Sequence, residues 1–174
     1  DEKHQKHPID VYGTTKFATE SMISTYEKRY GVEYTIVRPS AVYGPDDTNK
    51  RVVQIFIENA INKKPITLHS KGKSQLDFTY VEDIANGIYL SIKNLNKSKN
   101  EIFNITSGES RSLKELSLIL KKYFTDLKIE YSNKKFIRPK RGALDISKAK
   151  LLLKYKPKFN LEKGIQKYIR SYKI

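Results

Sequence analysis

Tyr12 and Lys16 are four residues apart and form a pair of side chains that could transfer a proton. If the segment is helical, both side chains lie on one face, where the ammonium group can stabilise a phenolate. An unperturbed tyrosine has a pKa of about 10 and is a poor base at neutral pH, so a fixed positive charge is needed to favour ionisation. A tyrosine and a solvated lysine on a helix surface would show the same spacing.

The residues that surround this pair predict one helix-to-strand step of a parallel sheet. Val11–Tyr30 has helical spacing and ends at a glycine that suits a helix C-terminus. Its predicted inward stripe is Phe17, Met22, Ile23 and Tyr26. Residues 32–37 are apolar and β-branched, which predicts a buried strand. Ligands of parallel sheets bind at the carboxyl ends of strands, which here means residues 38–45.

The rest of the chain continues to alternate between helical and strand patterns. We expect helices at 51–62, 82–95, 112–124, 147–155 and 161–172, and strands at 66–69, 78–81, 101–106 and 128–131. Ser112 and Glu115 have the spacing of a capping box. In the helix at 82–95, the side chains expected to face inward are Ile84, Ala85, Ile88 and Ile92. Residues 97–100 are expected to form a solvated loop.

Five motifs then follow one another in a recognisable order. They are PIDVYGTTK (8–16) with Glu20, YTIVRPSAVYGP (34–45), GKSQLDFTYVEDIA (72–85), FNITSG (103–108) and LDISKAK (144–150). Together they resemble the extended short-chain dehydrogenase/reductase family of NAD-dependent nucleotide-sugar epimerases and dehydratases. The resemblance spans nearly the whole chain.

This resemblance implies an α/β fold: the C-terminal part of a Rossmann-type parallel sheet plus a small α/β substrate-binding subdomain. Residues 1–45 would be the second half of the dinucleotide-binding domain. Residues 46–174 would be the substrate-binding region, interleaved with the last Rossmann elements.

The implied function is NAD-dependent 4-epimerisation of a nucleotide sugar. The sugar is oxidised at C4, the keto sugar rotates, and it is reduced again on the other face. A nucleotide-sugar 4,6-dehydratase and a 4-keto-sugar reductase are alternatives from the same family. A module that binds nucleotide sugars without catalysis is the alternative outside enzymes.

The resemblance assigns the cofactor contacts to four residues. Tyr12 would be the catalytic acid/base, and Lys16 would lower its pKa and hydrogen-bond the nicotinamide ribose. Pro39 and Ser40 would pass close to the nicotinamide carboxamide, unless they form only a strand-ending turn. The cofactor would be NAD, with NADP left open.

A Gly-rich turn for the pyrophosphate is not found among the eight glycines, since no two lie within four residues of each other. We therefore expect the C-terminal half of a longer enzyme, with little dinucleotide affinity and little activity of its own. An unpaired sheet edge and bare apolar faces are expected as well.

Substrate contacts are implied at five further positions. Arg51 and Val52 would start a helix whose free N-terminal amides suit a diphosphate, although Arg51 could be an ordinary surface residue. His69 would lie near the nucleobase, or simply end a strand. Arg138 and Arg141 are the two candidates for a guanidinium contact to the diphosphate.

The sequence departs from the family pattern at two positions. Ala41 replaces an asparagine that contacts the sugar nucleotide, and Leu76 replaces an arginine that contacts phosphate. We interpret Arg38 as structural, Asp77 as a turn residue and Asp83 as a helix-start carboxylate. The segment 43–45 is interpreted chiefly as a turn.

Composition limits the remaining possibilities. The formal net charge is +15, but the lysines are spread along the chain and no nucleic-acid-binding motif is present, so no nucleic-acid partner is expected. There is no cysteine and only three histidines, so no metal site is expected. No apolar window predicts a membrane span, and we expect a cytoplasmic location. By analogy, the full-length protein is expected to be a homodimer.

Overall fold

The computed structural model describes residues 1–134 and 141–172. The helices in these ranges are α1 Val11–Tyr30, α2 Val52–Ile61, α3 Val81–Lys93, α4 Leu95–Ser98, α5 Leu113–Tyr123, α6 Ser147–Leu153 and α7 Leu161–Ser171. The strands are β1 Thr35–Arg38, β2 Val42–Tyr43, β3 Ile66–His69, β4 Gln75–Asp77, β5 Thr79–Tyr80, β6 Glu101–Asn104, β7 Ser110–Ser112 and β8 Ile129–Ser132. In the described part of the chain, no helix is long and apolar enough to cross a bilayer.

The strands form two-stranded pairs, and most of these pairs are parallel. β1 pairs with β6, β2 with β5 and β3 with β8 in parallel, whereas β4 and β7 pair antiparallel. The expected α/β class with parallel pairing is therefore confirmed. β2, β4 and β7 were not predicted, and α4 includes residues 97 and 98 of the stretch expected to be a loop. Each of these elements has only two to four residues, too few for a periodic signal to develop.

Two apolar cores hold these elements together. The larger core lies among α2, α5, α7 and β3 and contains Phe56, Ile57, Leu68, Leu116, Leu120 and Ile165. The smaller core joins α3, β6 and α6 through Ile84, Phe103, Ile105, Leu153 and Tyr155. Two helix ends form as predicted: Gly31 ends α1 in the left-handed conformation at φ 68°, and Ser112 with Glu115 makes the capping box of α5.

The predicted inward stripe of α1 is wrong. The helix has no buried residue, and Phe17, Met22 and Tyr26 are 42%, 61% and 57% exposed. Apolar spacing marks one face of a helix, but it does not say which element covers that face. Polar contacts connect α1 to the rest of the fold, from Arg38 to Glu20 and from Asn100 to Glu27.

The predicted inward face of α3 is also wrong except at Ile84. Ala85, Ile88 and Ile92 are exposed, and the buried positions are Asp83, Ile84, Gly87 and Ser91. Gly87 faces Ile105 so closely that an added Cβ would overlap the Ile105 Cγ2 atom. The close approach of Ile105, the residue that follows β6, therefore requires a glycine at this position of α3.

Gly164 in α7 provides a test of the packing in the larger core. A Cβ there would overlap the Tyr43 hydroxyl and lie 2.8 Å from Tyr43 Cζ, and Tyr43 is only 2% exposed. Because this ring has no room to move, we expect Gly164→Ala to lower the free energy of unfolding by about 2 kcal/mol. Urea denaturation measures this. Gly142→Ala is the control, because nothing lies within 4 Å of its added Cβ; equal losses in both variants would contradict the packing interpretation.

Candidate active site

The first turn of α1 brings Tyr12 and Lys16 together. Asp10 caps the helix by accepting a hydrogen bond from the backbone N–H of Gly13 at 2.6 Å, so the pair lies one turn apart on a defined helix. Lys16 Nζ is 5.6 Å from the centroid of the Tyr12 ring. Tyr12 is 72% exposed, and its phenol is therefore accessible to a ligand. The predicted juxtaposition is present, and the catalytic role of the pair remains a prediction.

Arg38 connects this helix to the carboxyl end of β1. Its Nε and Nη2 atoms donate to the two carboxylate oxygens of Glu20 in α1, at 2.7 and 2.6 Å. Its Nη1 atom donates to the carbonyl oxygen of Glu2 at 2.9 Å. Both side chains of the ion pair are 19% exposed. These contacts agree with the structural role predicted for Arg38, and they fix α1 beside the strand that leads into Pro39 and Ser40.

Three of the predicted substrate contacts lie at α2 and β3. Arg51 precedes α2 as its N-cap, is exposed, and donates from Nη1 to the Val42 carbonyl oxygen at 3.4 Å. Val52 is the first residue of α2. His69 ends β3 and is half-buried opposite Ser132 of β8. Their contacts with a nucleotide sugar remain predictions.

The structure describes only one of the two arginines that are candidates for the diphosphate contact. Arg141 is exposed in the irregular segment that precedes α6. Arg138 lies outside the described residues. The assignment of the diphosphate contact to Arg141 therefore stays a prediction that can be tested by substitution.

Arg111 of β7 lies directly opposite Leu76 of β4 and was not considered from sequence. Its guanidinium binds three carboxylates, those of Glu109, Glu115 and Glu162, at 3.4, 2.8 and 2.7 Å. The hydrogen bond from Arg111 holds the pKa of Glu162 below its ordinary value. Its charge is therefore balanced by carboxylates of the chain itself.

Asp77 and Asp83 are more deeply buried than their predicted roles require. Asp83 does lie in the first turn of α3, but only 1% of its surface is exposed. Its carboxylate accepts the backbone N–H groups of Lys158 and Phe159 at 2.8 and 3.0 Å. Asp77 has none of its surface exposed and is the last residue of β4, not a turn residue. The burial of Asp77 could have been suspected from sequence, because its carboxylate lies between two apolar neighbours, Leu76 and Phe78.

Comparison with known proteins identifies relatives along the whole chain. Residues 1–106 match the model of the NAD-dependent epimerase/dehydratase family. A putative UDP-glucose 4-epimerase of Methanocaldococcus jannaschii is 32% identical over 182 residues, covering 99% of this chain and 56% of the relative. A UDP-glucuronate 4-epimerase of Thermodesulfobacterium geofontis is 34% identical, covering 93% and 50%.

Solved structures give the same picture. The UDP-glucose 4-epimerase of Thermotoga maritima, solved with UDP-glucose, superposes with a TM-score of 0.92 at 29% identity. The UDP-glucuronic acid 4-epimerase of Bacillus cereus, solved with UDP-glucuronic acid and NAD, also has a TM-score of 0.92, at 27% identity. The match covers 99% of this chain in both cases, and 56% and 55% of the two solved chains. The chain spans about half the length of its relatives.

Proposed function

Because the chain belongs to the NAD-dependent epimerase/dehydratase family, we propose that it is the substrate-binding part of a 4-epimerase that acts on a nucleoside diphosphate sugar. The observation that carries this proposal is the exposed phenol of Tyr12 with the Lys16 ammonium 5.6 Å from its ring. The matched relatives named as UDP-sugar 4-epimerases support the choice of reaction and of a UDP-linked substrate. We also propose that residues 1–45 belong to the dinucleotide-binding domain, and that residues 46–174 form the substrate-binding region interleaved with the last Rossmann elements.

The residues present fit the nicotinamide end of the cofactor. Tyr12 and Lys16 offer a phenol and an ammonium group on one helix face, and Arg38 ties that helix to the strand that leads into Pro39 and Ser40. NAD, when bound, supplies the acceptor and donor of hydride. Its pyrophosphate would bind a Gly-rich strand-turn-helix, which the 174 residues do not contain. We therefore propose weak NAD affinity for these residues alone.

The reaction assigns a proton transfer to Tyr12. Its phenolate oxygen takes the proton from the C4 hydroxyl of the sugar as the sugar is oxidised, and returns it when the sugar is reduced on the other face. Lys16, whose Nζ atom lies 5.6 Å from the centroid of the Tyr12 ring, would contact the nicotinamide ribose. Arg51, Val52, His69 and Arg141 would hold the nucleoside diphosphate, the two arginines through charge-assisted hydrogen bonds.

The wider setting of the enzyme is proposed on the same basis. We propose a homodimer by analogy with the family, and we also propose a cytoplasmic location. The exposed side chains Met22, Tyr26 and Tyr30 of α1 leave that helix available to pack against another part of the complete enzyme.

Isothermal titration calorimetry of the 174-residue chain tests the substrate class. We expect UDP-glucose or UDP-glucuronate to bind with micromolar affinity, NAD to bind more weakly, and a random oligonucleotide to lose its binding at physiological salt. Arg141→Ala should weaken binding of the UDP-sugar about tenfold, because a charge-assisted contact is lost. Arg170→Ala, an exposed arginine of α7, is the control and should bind normally. Tight oligonucleotide binding without sugar-nucleotide binding would overturn the proposal.

A further inference from the structure

The buried carboxylate of Asp77 joins three segments that are far apart in the sequence. Its Oδ1 atom accepts hydrogen bonds from the backbone N–H and the Oγ of Ser107, at 3.1 and 2.6 Å. Its Oδ2 atom accepts a hydrogen bond from the backbone N–H of Leu144 at 3.0 Å. A carboxylate without exposed surface needs such donors, because burial without hydrogen bonds is costly. The end of β4 is thereby tied both to the loop after β6 and to the segment before α6.

The segment that begins at Arg141 and leads into α6 has no regular structure, so tertiary contacts must fix its path. One fixed point is the Leu144 hydrogen bond to Asp77. The other is the Asp145 carbonyl oxygen, which accepts a hydrogen bond from Asn104 Nδ2 at 3.0 Å. Asn104 is itself 1% exposed. Two buried polar side chains therefore hold consecutive residues only three and four positions beyond Arg141.

We propose that Asp77 is a positioning residue that holds Arg141 in place for the diphosphate of the substrate. This inference rests on the proposed function. An irregular segment that is already ordered loses less conformational entropy when its arginine binds a ligand. Leu76 stands where the family pattern has an arginine, so fewer guanidinium groups are available for the phosphates. The position of Arg141 is then more important.

Asp83 provides a matched control for this role. It is equally buried, and its carboxylate also accepts backbone N–H groups from a distant segment. That segment, at Lys158 and Phe159, leads into α7 and contains no predicted substrate contact. A purely structural role for buried carboxylates would make Asp77 and Asp83 equivalent in any binding experiment.

The test compares Asp77→Asn with Asp83→Asn in the 174-residue chain. Each substitution places an amide N–H₂ where a carboxylate oxygen accepted a backbone N–H, so both should lower the melting temperature. Calorimetric titration with UDP, and with dTDP in parallel, should show a dissociation constant about tenfold higher for Asp77→Asn. The constant for Asp83→Asn should stay within about twofold of wild type.

Equal UDP affinities of Asp77→Asn and wild type would overturn the inference, as would equal losses in both variants. If Asp77→Asn does not fold, Asn104→Ala loosens the second fixed point and decides the question, because it should raise the dissociation constant in the same way. A wild-type chain that binds neither UDP nor dTDP would instead overturn the proposed function, and the positioning role with it.

Discussion

Tyr12→Phe is expected to lower turnover about 1000-fold in a polypeptide that joins these residues to a dinucleotide-binding half, with sugar-nucleotide binding nearly unchanged. The substitution removes only the hydroxyl and leaves the ring beside Lys16. Because Tyr12 is 72% exposed, its hydroxyl contributes little to packing, and the loss should appear in kcat rather than in folding. Steady-state kinetics with UDP-glucose or UDP-glucuronate, together with calorimetric binding, measures the two effects separately.

Tyr30→Phe is the matched control for this experiment. Tyr30 lies at the other end of α1 and is 59% exposed, and the Arg29 guanidinium is 5.5 Å from its ring centroid. It thus shares the helix, the exposure and the adjacent cation, but it is absent from the proposed site. Normal turnover in Tyr30→Phe with a large loss in Tyr12→Phe is the expected pair of results. Wild-type turnover in Tyr12→Phe would remove Tyr12 from the chemistry.

The helix ends could be predicted from sequence because their determinants are local. Gly31 allows the left-handed conformation that ends α1, and Ser112 with Glu115 satisfies the free amides at the start of α5. The contact between Tyr12 and Lys16 is equally local, since one helical turn separates them. Such signals act within a few residues, so the tertiary fold does not need to be known.

The exposure of α1 and the buried face of α3 could not be predicted, because both depend on neighbours distant in sequence. In α3, Gly87 and Asp83 face inward because Ile105 and the backbone at Lys158 lie opposite them. An apolar residue such as Ile92 is left exposed, although its hydrophobicity alone favours burial. The hydrophobic pattern of a helix shows which side chains prefer burial to contact with water. The tertiary partners decide which face is actually buried.

The polar contacts that organise the candidate site were hidden from sequence for a related reason. Asp77 meets a hydrogen-bond donor 67 residues away, and Arg111 meets Glu162 at a separation of 51 residues. When the partner of a charged residue is unknown, its charge alone leads to the prediction of an exposed position. These contacts follow from the tertiary packing, which places the segment before α6 against Asp77 and α7 against Arg111.

Arg38→Met is expected to detach α1 from β1 and so disturb the candidate site from a distance. Within the described residues, the ion pair of Arg38 with Glu20 is the shortest salt bridge between α1 and the rest of the fold. Both side chains are largely shielded from water, so removal of one partner leaves a poorly solvated carboxylate. We expect a loss of about 3 kcal/mol in the free energy of unfolding. Amide hydrogen exchange should become faster along α1, and turnover of the complete enzyme should fall because Tyr12 and Lys16 move relative to Ser40.

Lys99→Met is the control for the loss of an ion pair as such. Lys99 Nζ lies 2.9 Å from Glu33 Oε1, but the two side chains are 53% and 60% exposed. An exposed pair gains little over its hydrated ions, so this variant should lose less than about 0.5 kcal/mol and keep the exchange pattern of α1. Unchanged exchange of α1 in Arg38→Met would show that other contacts hold the helix. The candidate active site would then not depend on Arg38, since the orientation of Tyr12 and Lys16 would survive without the ion pair.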